Sequence, residues 1–65
     1  MQPHQQRVVT EKSELDDKLA KLHAFIFDDG KIFRTLSPEE RDRLEDQFTI
    51  MTHYSAILGK RIAAF

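Results

Sequence analysis

The residues able to do chemistry in this chain are carboxylates, three histidines and a scatter of basic side chains. Asp16, Asp17, Asp28, Asp29 and the Glu39-Glu40 pair could in principle supply two carboxylates for acid–base work. Each falls on a helix surface or at a helix end, where solvation and dipole pairing account for a carboxylate, so catalysis is not expected. Asp28-Asp29-Gly30-Lys31 resembles the start of a calcium loop but lacks the alternating oxygen ligands and distal bidentate glutamate such a loop needs. His4, His23 and His53 have no metal-ligand spacing between them. No catalytic residue, metal or cofactor is called for.

The basic residues are more informative. Lys18 and Lys21 stand three apart, Arg7 lies upstream, and Lys60-Arg61 lies near the end of the second helical pattern. Arginine forks onto phosphate or a base edge, and lysine acts on phosphate as a point charge. If the two ends of the chain meet, Arg7 and Arg61 converge, with Gln5 and Gln6 as nearby hydrogen-bonding groups. The bland reading is a set of solvated faces, because Arg7–Glu11, Glu14–Lys18 and Asp17–Lys21 are all opposite-charge pairs at i,i+4.

The elements that must carry these groups are helices. Val8, Leu15, Leu19, Leu22 and Ile26 follow spacings of 7, 4, 3 and 4, an amphipathic seam over about Pro3 to Phe27. Ser13-Glu14-Leu15-Asp16 is a second start signal inside it, so a separate short helix or a kink at the N-terminus is the variant reading. Asp28-Asp29-Gly30 supplies a stop, with glycine free to turn left-handed. Ile32, Phe33 and Leu36 then make an apolar plug at the tip, as one helical turn. Ser37-Pro38-Glu39-Glu40 is a strong helix start, with serine capping, proline at the first position and Glu40 reaching back. Leu44, Phe48, Met51, Ser55, Leu58, Ile62 and Phe65 follow with alternating spacings of 4 and 3. Gly59 interrupts that seam and with Ser55 makes a small-residue patch suited to a close helix approach. The expected fold is all-α, one antiparallel two-helix hairpin domain over 1–65.

Size and composition add a constraint. A lone domain of 65 residues buries only ~60% of its unfolded surface and usually needs a staple, a metal or a partner. The chain has no cysteine, so no disulfide supplies one. Val9, Ala24, Phe25 and Phe27 on helix one, and Ile50, Tyr54 and Ile57 on helix two, lie off the main seams. Leaving three or four aromatic side chains wet forgoes several kcal/mol at ~25 cal/mol per Å². Assembly into a homo-oligomeric helical bundle is therefore expected. Ten Lys and Arg against eleven Asp and Glu give a net charge of −1, which argues against a DNA or RNA polymer as partner. Ala24-Phe25-Ile26-Phe27 is too short for a membrane span, and Met1-Gln2-Pro3-His4 does not read as a signal peptide, so a cytoplasmic protein is expected.

The order Arg7-Val8-Val9, Glu11-Lys12, Glu14-Leu15-Asp16, Lys18, Lys21-Leu22, Ala24-Phe25-Ile26, with Met51, Tyr54-Ser55, Ile57-Leu58 and Arg61-Ile62, resembles a known pattern. It is similar to the small phage and prophage sponge family that counters cyclic-oligonucleotide (CBASS) immunity. The resemblance covers nearly the whole chain. It implies a helical hairpin in a compact homo-hexamer, in the cytoplasm of an infected bacterium. Such an assembly binds cyclic di- or trinucleotides without cutting them, in pockets made by more than one protomer. By the same resemblance Lys21 occupies the place of a phosphate-contacting lysine, and Arg7 joins it. His23 stands where the family carries a small hydroxyl, so it touches a base here, as does His4 with Gln6 beside it. Arg61 with Lys18 serves a second, larger site. The rival reading is a structural or regulatory hairpin that binds a host or phage protein through its apolar face. A DNA-binding antirepressor would need a basic face that the charge balance does not favour.

Overall fold

The computed structural model describes all of residues 1–65. It is all-helical. Helix α1 spans Pro3–His23 and runs on through a π-helical turn at Ala24–Asp28, helix α2 is the single turn Lys31–Thr35, and helix α3 spans Pro38–Ala63. The long helices α1 and α3 pack side by side as an antiparallel hairpin, 46 × 16 × 14 Å overall. The body is one layer of two helices, so each helix covers only one side of its neighbour.

Helix α1 begins where Pro3 loses nothing by lacking an N–H, and the Gln5 side chain accepts a hydrogen bond from the Gln2 N–H at 2.9 Å. The Ser13 start signal is unused, because the seam residues on either side face one partner and the helix passes through without a break. After His23 the backbone widens, and the Asp29 N–H reaches the Ala24 carbonyl five residues back. Gly30 then takes the left-handed conformation expected of it, φ 69°. Phe33 is buried and meets Phe25 edge-on at 6.4 Å. Ile32 does not join the expected plug. It is 65% exposed, because one helical turn cannot aim adjacent residues at the same core.

Helix α3 starts as its sequence dictates, with Ser37 Oγ accepting from the Glu40 N–H at 3.2 Å. The reciprocal half of the box does not close, since the Glu40 carboxylate accepts instead from Arg43 Nε at 2.8 Å. The core is thin. Val8, Ile26, Phe33 and Leu58 are its buried apolar residues, and Leu58 alone is wholly excluded from water. Leu15, Leu19, Leu22, Leu44, Phe48, Met51 and Ile62 of the two seams are half-buried, whereas Phe65, expected to end the second seam, is 47% exposed because α3 stops at Ala63. No helix is long and apolar enough to cross a membrane.

Candidate functional site

Three polar residues sit in the middle of the helix–helix contact. Lys12 Nζ donates to Asp16 Oδ2 at 2.7 Å and to Ser55 Oγ at 2.9 Å. The Ser55 hydroxyl in turn donates to Asp16 Oδ1, closing the ring. These hydrogen bonds, Lys12's more than Ser55's, hold the Asp16 carboxyl below the usual carboxylate range, with burial working against them. Each donor in the ring already has its acceptor. The trio is a clasp between α1 and α3, not a nucleophile with a base.

The clasp also fixes the register. Lys12 lies over Gly59, Asp16 meets Ser55, and His23 meets Phe48, so each step down α1 is matched by an equal step up α3. Lys21 is therefore level with Ile50, Lys18 with His53 and Tyr54, Glu14 with Ile57, and Arg7 with Ala64. The small-residue patch at Gly59 and Ser55 receives the Lys12 stem, whose Cε would lie 3.4 Å from a β-carbon at Gly59.

At 100° per residue, the core line of α1 has two flanks. Lys12, Asp16 and His23 fall on one and mark the first side of the hairpin through their contacts with α3. Arg7, Glu14, Lys18 and Lys21 fall on the other. Around α3, the same construction puts Ile50, Tyr54, Ile57 and Arg61 on that second side, at spacings of 4, 3 and 4. The apolar members of this stripe are uncovered, with Ile50 67%, Tyr54 41% and Ile57 54% exposed. The second side of the hairpin thus joins a mixed row on α1, basic Arg7, Lys18 and Lys21 with Glu11 and Glu14 among them, to an apolar stripe on α3.

Within that face the expected site residues are only partly brought together. Lys21 pairs with Asp17 at 3.1 Å in full solvent, whereas Arg7, Lys18 and Arg61 make no ion pair within the chain. Arg7 and Arg61 share the open end of the hairpin with His4 and Gln6, both exposed, and Gln6 Nε2 donates to Thr10 Oγ1 at 3.4 Å. Lys21 lies fourteen residues further along α1, about 21 Å away, so one chain cannot set it and Arg7 on one phosphate. His23 is on the first side, nearly opposite Lys21, because residues two apart on a helix face away from each other. Its ring packs 5.0 Å from Phe27 and 5.8 Å from Phe48, and its Nδ1 is 3.4 Å from Asp28 Oδ1.

The sequence singled out Asp16 only as a candidate acid and Ser55 only as a small seam residue, and the clasp they make with Lys12 was missed. Their signal was a gap: the α1 seam steps seven residues from Val8 to Leu15, and the skipped seam position is Lys12. Arg41 was also missed, and it keeps its Nε out of water without an acceptor. No group of three His, Asp or Glu side chains converges as a metal site would need. A single chain encloses no cavity.

The Sequestin family model matches residues 2–64, both long helices and the tip between them. The chain belongs to the Sequestin family. No curated protein and no solved structure matches it. The family name fits a sequestering function. In this Sequestin the uncovered face of Arg7, Lys18, Lys21, Arg61 and the Ile50–Tyr54–Ile57 stripe is the candidate surface.

Proposed function

We propose that the protein is a sponge for cyclic di- or trinucleotide second messengers of bacterial antiphage defence. It works as a homo-oligomer, with a hexamer favoured, in the cytoplasm of the infected host, and it holds its ligand without cleaving it. The observation that carries this reading is the shared face, where unpaired Arg7, Lys18 and Arg61 lie beside an apolar stripe that no part of the chain covers. An apolar stripe seeks another copy, and unpaired basic side chains seek an anion. Pockets formed where copies meet satisfy both demands, and membership of the Sequestin family supports the sequestering role.

In such a pocket Lys21 and Arg7, drawn from different copies, neutralise phosphates. His23 and His4 touch bases, with Gln6 beside His4, and Lys18 with Arg61 serves a second site. The placement of Lys21 and His23 on opposite sides of α1 means that a pocket using both takes them from two chains. Isothermal titration calorimetry against a panel of cyclic di- and trinucleotides tests the reading. Binding with release of intact nucleotide on heat denaturation is the expected result. An assembled particle that binds none of them at micromolar protein retires it, and leaves the hairpin as a module for binding another protein.

A further inference from the structure

The uncovered stripe on α3 has a symmetry that selects its occupant. Ile50 and Ile57 stand four before and three after Tyr54, so the stripe reads nearly the same from either end. Laid antiparallel on a second α3, it sets Ile50 against Ile57 of the second copy and Tyr54 against Tyr54. The register of the hairpin carries this match across to α1. Lys21 is level with Ile50 and Glu14 with Ile57, so the same two-fold operation sets Lys21 against Glu14 of the second copy, twice. It also sets Arg61 beside Asp46 and Gln47. A parallel pairing of the two α3 helices would instead carry the two α1 helices to opposite flanks and leave Lys21 and Glu14 unmatched. Charge and apolar spacing thus agree on one arrangement. A self-complementary patch of this kind is what a two-fold contact requires, and a face 46 Å long and 16 Å wide is of the size that presents the ~800 Å² per partner of a stable interface.

The geometry points to a two-fold contact between second sides, centred on Tyr54, that completes a ligand site no single chain has. Lys18 is level with His53 and Tyr54, so it lies at the axis and faces Lys18 of the second copy. Glu14, its i−4 neighbour, is engaged by Lys21 across the contact, and no other acid on this face comes level with it. Two ammonium groups beside two phenol rings form a paired-cation site for a phosphate-bearing ligand, most naturally one with two-fold symmetry and two phosphates. This inference rests on the sponge reading for its ligand and on the chain's own register for its geometry, and it differs from that reading in one role: Lys21 answers Glu14 of the second copy, and Lys18 takes the phosphate.

Because the chain has no cysteine, single-cysteine variants report the contact directly. Tyr54→Cys, Lys18→Cys, Ile50→Cys and Ile57→Cys are prepared as full-length chains, checked for helicity by circular dichroism, and oxidised. Tyr54→Cys and Lys18→Cys are each expected to give disulfide dimers. Ile50→Cys and Ile57→Cys are expected to stay single alone, their like positions lying about 10 Å apart along the axis and beyond disulfide reach, and to link when mixed. Self-linking of Ile50→Cys and Ile57→Cys would mean a parallel contact and overturn the proposal. Absence of any link from all four would overturn it as well. Calorimetry of the unmodified protein with cyclic nucleotides separates the two ideas: binding without these links removes this contact and keeps the sponge, whereas links without binding keep the contact and remove the ligand.

Discussion

Lys12 and Ser55, 43 positions apart in the chain, touch across the two long helices, Nζ to Oγ at 2.9 Å. A lysine in a hydrophobic seam is expensive unless its ammonium finds acceptors, and here it finds a carboxylate and a hydroxyl. The contact exists only when α1 and α3 are in one register, so it discriminates against slipped hairpins more than it adds to stability.

Replacing Ser55 tests that view. Ser55→Ala keeps the Lys12–Asp16 pair and loses a hydroxyl that is 8% exposed, so it is expected to cost about 1 kcal/mol. Ser55→Leu forces a bulky group against Lys12 and is expected to cost about 1–3 kcal/mol, with a less cooperative transition. Urea denaturation followed by circular dichroism measures both.

Acid should loosen the clasp. The folded Asp16 carboxyl titrates below its ordinary value of 3.8. A carboxylate whose folded pKa is depressed stabilises fully above its unfolded pKa, and that contribution is lost as pH falls through the folded value. The melting temperature of the native chain is therefore expected to fall below about pH 4 more steeply than that of Asp16→Asn. Parallel pH profiles for the two proteins would remove Asp16 from the account.

Gly30 turns left-handed at φ 69°, and a β-carbon there would lie 3.3 Å from the Ile26 carbonyl and 3.0 Å from Arg34 Nη1. Gly30→Ala is expected to cost about 1 kcal/mol or more. Gly30→Asn should be milder, because asparagine visits this conformation more readily. Thermal melts of the two variants give the comparison.

Gly59 behaves in the opposite way. It lies inside α3, and a β-carbon would meet only the Lys12 side chain, at 3.4 Å. Gly59→Ala is expected to stabilise the chain by about 0.5–1 kcal/mol through helix propensity. A loss of stability would show that the site needs its bare backbone.

Ligand binding carries the last test. Lys21→Gln and Arg7→Gln each remove a charged hydrogen-bond donor, which is worth about ten- to hundredfold in affinity when the partner is a phosphate. Both side chains are exposed, so the fold should be unaffected. Calorimetry with the best cyclic nucleotide from the panel is the measurement, and unchanged affinity in both variants would move the site elsewhere.

Much of the hairpin was legible because its signals are local. Gly30 and Ser37 mark their turns through backbone geometry and capping, which depend on a few neighbouring residues. The uncovered Ile50–Tyr54–Ile57 stripe was also readable, from spacing alone. The clasp was not, because Asp16 and Ser55 meet only through the pairing of two distant segments. Two of the three ion pairs expected on α1 also failed to form. Glu14–Lys18 and Arg7–Glu11 are exposed pairs worth little, and only Asp17–Lys21 closes. His23 was placed with Lys21 by resemblance to a family, but its neighbours turned out to be Phe27, Phe48 and Asp28. The π turn at Ala24–Asp28 had no sequence signal that periodicity could register.

That wide turn lets the tip absorb one residue of chain length. Its backbone holds roughly one more amino acid than an ordinary helical coil would. Excising one of Ala24–Asp28 would let the coil tighten to an ordinary turn, with everything downstream still facing nearly as it does. Adding one to the regular coil of α1 would instead swing the rest by about 100° and send α3 away from the flank that carries Lys12 and Asp16. Relatives one residue shorter at the tip should therefore lose the wide turn and keep the direction of return.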